Sequence, residues 1–311
     1  MLKALYAFCK CGSEPNEYRK HLEQCSREGR LGQLWNFEAQ KNTADNDLEL
    51  RSLNIITSHP IVINIESTSG SLEFVYPLID QGMPIDETYT SLPKKTIPAV
   101  FIPATEMLSH SEGLVAMSKK YGVPFDQTQI DILINSQLWE TKEISDRNRK
   151  ILDMLGKAID GVVIYENDTF YAVKNSGLKI EFALEAEGFK RLGLLWKLVR
   201  NGLLESGSVL LWDEPESSVH PDLMHLIAEV LHILAQDGVQ IFIATHSYMF
   251  AKYVDLKKRN EDDVLFISLY KHFGIVECTT ADSYSSLGNN AIEVSEEKLY
   301  EAIVESAMED M

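Results

Sequence analysis

The sequence predicts an α/β protein: a mostly parallel sheet with an antiparallel β edge and an inserted helical subdomain. Three observations lead there. Val209-Leu-Leu-Trp212 is a short apolar run of the kind buried on both faces of a parallel sheet. Pro221 to Gln236 has helical spacing, Gly238 stops it, and Gln240-Ile-Phe-Ile-Ala244 is a second apolar run, so strand, helix and strand make one βαβ crossover. Nearer the start, Ile61-Val-Ile-Asn-Ile65 and Leu72-Glu-Phe-Val-Tyr76 flank Ser67-Thr-Ser-Gly-Ser71, a hairpin signal.

Taken in order, Met1 to Phe8 reads as an amphipathic helix with no capping residue before it. Residues 11–47 are polar and without sustained period, apart from one expected helix over Glu14 to Arg27. Thr96 to Pro103 is an apolar strand. Glu106 to Lys120, Thr128 to Glu140 and Asp146 to Ala158 carry apolar residues at three- and four-residue spacing and predict the helical insertion. Val162-Val-Ile-Tyr165 and Phe170-Tyr-Ala-Val173 bracket Glu166-Asn-Asp-Thr169 as a second hairpin, and Gly177 to Leu184 predicts another strand. A helix over Leu192 to Leu203 follows, with Asn201-Gly202 as its cap. Beyond the crossover come a helix from Tyr248 to Leu256, a strand from Val264 to Lys271, a short return strand from Gly274 to Cys278, and an acidic amphipathic helix from Val294 to Met311.

Composition bounds the function. In 311 residues, 45% are apolar and 24% charged, ordinary for a soluble globular chain that can bury a sizeable core. No apolar stretch approaches a membrane span, and no signal peptide is visible. Four cysteines do not make a disulfide framework and point to a reducing cytoplasm; the Cys9-x-Cys11 spacing is also wrong for a structural zinc site. Lys and Arg number 29 against 47 Asp and Glu, a formal charge of −18, so strong nucleic-acid binding by this chain alone is not expected.

The chemistry-bearing stretch is Asp213-Glu214-Pro215-Glu216, where the buried run of 209–212 ends. A lone Asp-Glu pair is an ordinary acidic turn. At the C-terminal end of a buried parallel strand, however, two acids sit at the edge where open α/β sheets bind ligands. A hard carboxylate there suits a phosphate-bound Mg²⁺, and a second can orient a water for attack on a phosphoryl group. Asp213 fits the first role and Glu214 the second. A metal-dependent nuclease on the same pair lacks further acids at suitable strand ends.

Asp213-Glu-Pro-Glu216 with Val219-His220-Pro221, and Thr245-His246-Ser247 after the next strand, resemble the Walker B, D-loop and switch-histidine motifs of ABC-type ATPases. The SMC-like and OLD-like branch, grouped as AAA family ATPases (AAA_15/AAA_21), is the most similar. Pro103-Ala-Thr-Glu-Met-Leu-Ser-His110 and Pro124-Phe-Asp-Gln-Thr128 match its pattern too, so the resemblance spans most of the chain. It implies a P-loop NTPase-like ABC head that uses ATP and Mg²⁺. Asp213 would hold the metal, Glu214 would position water and His246 would sense the γ-phosphate. Ser218 and His220 would lie in the loop that reaches across a homodimer closed around ATP. Glu185 to Arg191 takes the place of the signature motif: Gly188, Lys190 and Arg191 fit a phosphate contact from the opposite subunit, while the usual Ser is replaced by Ala186 or Glu187.

No Gly-x-x-x-x-Gly-Lys-Ser/Thr loop occurs in the sequence, and the helix at Met1 resembles the one that follows that loop in the family. The expectation is a chain that starts just after its own phosphate loop, through a start codon assigned downstream or a truncated gene. A natural pseudo-ATPase is the alternative. The implied organisation is residues 1–105 as the first part of the head, 106–160 as the helical insertion and 161–311 as the C-terminal lobe. The implied function is a nucleotide-driven switch for a partner protein, in phage defence, a toxin-linked module or DNA metabolism, with no residue selecting among these. The other reading is a binding module that does not hydrolyse ATP.

Overall fold

The computed structural model describes residues 2–11, 21, 37–40, 50–56, 61–67, 70–76, 87–91, 96–120, 125–259, 264–272 and 275–309. The expected helix over residues 14–27 therefore lies outside the described residues, except at position 21. Helix α1 is Leu2–Cys11. Five antiparallel strands follow in sequence order, β1 (Phe37–Gln40), β2 (Leu50–Ile56), β3 (Ile61–Ser67), β4 (Gly70–Tyr76) and β5 (Glu87–Ser91). The hairpin read at residues 61–76 is β3–β4, with Ile63 opposite Phe74.

Strand β6 (Ala99–Ile102) begins the core of the first unit. The expected long helix over residues 106–120 is instead a 3₁₀ turn, Leu108–His110, and a short helix α2, Leu114–Lys120. Two residues explain the break. The Glu106 carboxylate takes the Leu108 and Ser109 N–H groups at 2.6 and 3.2 Å, which starts a separate turn. Gly113 has φ +66°, a left-handed conformation that ends it before α2.

Helices α3 (Gln127–Gln137) and α4 (Asp146–Ala158) follow, each with a side-chain cap, from Asp126 and Ser145. Strands β7 (Gly161–Glu166), β8 (Thr169–Lys174) and β9 (Lys179–Glu181) form an antiparallel sheet; β7 and β8 turn at Asn167 and Asp168, both at positive φ. The strand expected to reach Leu184 stops at Glu181, because Phe182 enters a 3₁₀ turn and is buried.

Helix α5 (Glu187–Arg200) is buried along Lys190–Val199, and Gly202 closes it at φ +71°. Next are β10 (Val209–Asp213), α6 (Pro221–Gln236) and β11 (Gln240–Ala244). Helix α7 (Tyr248–Lys257), strands β12 (Phe266–His272) and β13 (Ile275–Ala281), and helix α8 (Ala291–Glu309) complete the chain.

The chain divides into two compact units, Met1–Leu31 with Leu92–Thr245, and Gly32–Ser91 with His246–Met311. In the first unit the parallel sheet has the order β11-β10-β6, with β10 central. Leu210, Leu211 and Trp212 have no exposed surface, as a strand covered on both faces requires. Helix α1 lies on this sheet. Its Cys9 carbonyl accepts from Ile97 N–H (2.8 Å) just before β6 starts, and the Tyr6 ring meets Phe101 edge-on at 5.7 Å. The helix thus runs opposite to the strands, and its N-terminus heads for the edge where Asp213 sits. In the second unit, β1–β5 and the β12–β13 hairpin are antiparallel, and α7 and α8 are the helices described.

Because β10 is sealed on both faces, it cannot collapse around a lost side chain. Leu211→Ala is expected to destabilise the first unit by about 3 kcal/mol, read from urea unfolding of the wild type and the variant.

Candidate functional site

The site grows from the end of β10. Asp213, its last residue, is level with Ala244 of β11, and the Glu214 N–H donates to the Ala244 carbonyl at 2.9 Å. The parallel pairing therefore continues one bond past the strand before the chain turns. Glu214 adopts φ +49°, a left-handed conformation that a residue with a Cβ rarely takes. Pro215 follows, Ser217 N–H returns to the Glu214 carbonyl at 3.0 Å, and Val219 N–H to the Glu216 carbonyl at 3.0 Å. Ser218, between these bonds, is also left-handed, at φ +60°. The Thr245 hydroxyl donates to Glu216 Oε1 at 2.6 Å, which fastens the end of β11 to the same turn.

Gly188, in the first turn of α5, packs against this turn from its own chain. A Cβ there would lie 2.9 Å from the Ser218 carbonyl oxygen and 3.3 Å from Val219 Cα. Only a glycine lets the helix start this close. The N-cap residue Ala186 offers no side-chain bond, so the N–H groups that open α5 lack a side-chain cap of the usual kind.

Lys190 and Arg191 are both buried. Lys190 Nζ donates to the Ala183 carbonyl (3.1 Å) and pairs with Glu187 (2.8 Å), so its charge is engaged beneath the helix start. Arg191 reaches the other way: Nη1 donates to the Pro103 carbonyl, just past β6, at 2.8 Å. Burial pulls its guanidinium below the usual pKa, while Glu106, Glu187, Glu214 and Asp213 act against that shift. Arg191 is thus a buried cation in the field of Asp213, Glu214 and Glu106, the last itself held by the Leu108 and Ser109 N–H groups. Sequence reasoning did not assign Glu106 or Pro103 to the site. The one signal was their place in the Pro103–His110 run that follows an apolar strand.

His220 caps α6: its Nδ1 accepts from Asp222 N–H at 3.2 Å, and its side chain is largely exposed. His246 is exposed and opens the second unit, directly after Thr245. The structure therefore brings Asp213, Glu214, Arg191, Gly188 and Ser218 together at one margin of the first unit, with His220 following on α6.

Among the described residues, no group of three or more His, Cys, Asp and Glu side chains could by itself hold a metal ion. One or two carboxylates at a strand edge suit Mg²⁺, which keeps several waters and takes phosphate oxygens as its remaining ligands. Asp213 with Glu214 fits that kind of site.

A parallel βαβ sheet with acids closing its central strand, in a chain that also carries antiparallel sheets, defines an α/β fold. Residues 99–250 match the family model described as "AAA domain, putative AbiEii toxin, Type IV TA system". This stretch, just under half of the chain, is thus similar to an AAA domain. Solved structures similar to the chain include an Smc head bound to the C-winged helix domain of ScpA, with 11% identity over 92% of this chain and 86% of that one, TM-score 0.43. Others are the Pyrococcus furiosus Smc head with an extended coiled coil bound to the C-terminal domain of ScpA (10% identity, 95% and 88% covered, TM-score 0.41) and the Thermotoga maritima SMC head (10%, 87% and 88%, TM-score 0.36). No curated protein matches the chain.

Two substitutions test this geometry. Glu214→Gly relieves the left-handed backbone and is expected to raise stability by about 1 kcal/mol in chemical denaturation; a loss of stability would refute the strain. Gly188→Ala forces the Ser218 carbonyl away from α5 and is expected to cost about 1–3 kcal/mol, seen as a lowered denaturation midpoint.

Proposed function

We propose that the chain is the ATP-hydrolysing head of a nucleotide-driven switch that acts on a partner protein. The observation that carries the reading is the delivery of Asp213 and Glu214, side by side, at the C-terminal edge of a fully buried parallel strand. In this reading Asp213 holds Mg²⁺, and Glu214 orients a water and accepts its proton. Mg²⁺-ATP, when bound, supplies the phosphoryl group to be transferred to water and the charge to which the switch responds. Arg191 is a positioning residue in this reading, a buried positive charge in the field of the acids. His246 is the candidate sensor of the γ-phosphate.

Two copies would close as a homodimer around ATP, presenting Gly188, Ser218 and His220 to the nucleotide of the opposite subunit. Lys190 would help only by steadying the start of α5, since its ammonium is bonded inside its own unit. We infer a cytoplasmic setting from cysteine usage; among the described residues no helix is long and apolar enough to cross a membrane.

A second reading, a module that binds without hydrolysing, is favoured by one observation: the 311 residues contain no glycine-rich loop ending in Gly-Lys-Ser/Thr. One experiment separates the two. ATP binding and phosphate release are measured on this chain and on the product read in frame from upstream of Met1, each as wild type and as Glu214→Gln. The switch reading expects turnover in at least one form, reduced about 10²–10³-fold by Glu214→Gln with nucleotide binding retained. Binding without turnover in both forms selects the second reading. If neither form binds ATP, both fail.

A further inference from the structure

Helix α8 has an apolar face that nothing among the described residues covers. Its first turn is anchored: Val294 N–H donates to the Asn290 carbonyl at 3.0 Å, and Glu293 N–H meets the side chain of the buried Asn290. From Val294 to Met308 every residue is exposed. The exposed residues are not polar all round. Leu299 and Ile303 form one row, and Tyr300, Val304 and Met308 the adjacent row, each at four-residue spacing, so together they make one continuous stripe. Tyr300 is 70% exposed and Met308 66%.

A third row, Glu297, Glu301 and Glu305, runs beside the stripe. Like charges at that spacing repel one another, and Lys298 is the one basic residue in the helix. An apolar stripe whose acidic margin makes no ion pair among the described residues therefore selects its occupant by charge. We propose that α8 is a docking site for a basic amphipathic helix of a partner protein. The partner's apolar side chains would seat on Leu299–Met308, and its Lys or Arg would lie against Glu297, Glu301 and Glu305. A second copy would bring the same acidic row from a chain of formal charge −18, and an anionic lipid surface would repel it. The proposal names the surface for the partner that the switch reading calls for, yet it is tested without nucleotide, so the two can fail separately.

The test uses the full chain and a fluorescein-labelled helical peptide of about 18 residues made of Leu and Lys in amphipathic repeat, followed by anisotropy at about 50 and 500 mM salt. Binding at low salt is expected to weaken about tenfold at high salt, and about tenfold in each of two variants, Ile303→Ser with Val304→Ser, and Glu297→Lys with Glu301→Lys. A matched peptide with Glu in place of Lys is expected not to bind. Circular dichroism of both variants should overlay the wild type, since the substituted residues are exposed. Equal affinity of wild type and variants for the Leu/Lys peptide overturns the proposal. So does a wild-type dimer in sedimentation velocity that Ile303→Ser with Val304→Ser dissolves, which would assign the stripe to a second copy. Tighter binding to phosphatidylserine vesicles than to the peptide would assign it to lipid, and also overturns the proposal.

Discussion

The candidate site depends on one buried cation. Removing a guanidinium from water is costly unless carboxylates and carbonyls replace the lost solvation. Arg191 donates to the Pro103 carbonyl and lies in the field of Glu106, Glu187, Glu214 and Asp213. Its partners come from the end of β6, the turn after it, the start of α5 and the end of β10. The bond to Pro103 ties the start of α5 to the end of β6 and sets a positive charge near two adjacent carboxylates. Bidentate reach and a charge retained under burial are what an arginine brings to such a place.

Much of the fold was legible because its stops are written in local chemistry. The crossover helix has the bounds read for it, Pro221 to Gln236, since His220 and Pro221 encode its start and Gly238 its end at φ +88°. The parallel pairing of β10 with β11 follows from two apolar runs joined by that helix. Where a side chain competes with the backbone or fills the core, the periodicity misleads. The 106–120 pattern reads as one helix, but Glu106 takes backbone N–H groups into a separate turn. The strand read to Leu184 ends early because Phe182 fills the core.

The site divides in the same way. Asp213 and Glu214 were visible as a motif at a strand end. The burial of Arg191 was not, because it rests on a contact spanning 88 positions, from Arg191 to Pro103. The left-handed backbone at Glu214 was equally hidden, as nothing in a glutamate announces it. Gly188 carried a partial signal: a glycine at a helix start implies close approach, though not the identity of what approaches.

The tight seat of Gly188 on the Ser218 carbonyl has a mechanical corollary. Helix α5 is 14 residues long, a rod of about 21 Å. At its far end, Lys197 and Arg200 grip Glu140 at 3.0 Å each, and Arg200 also holds the Thr141 carbonyl at 2.7 Å. One stiff helix thus joins the acidic turn to the loop that displays Trp139, a ring 95% open to water.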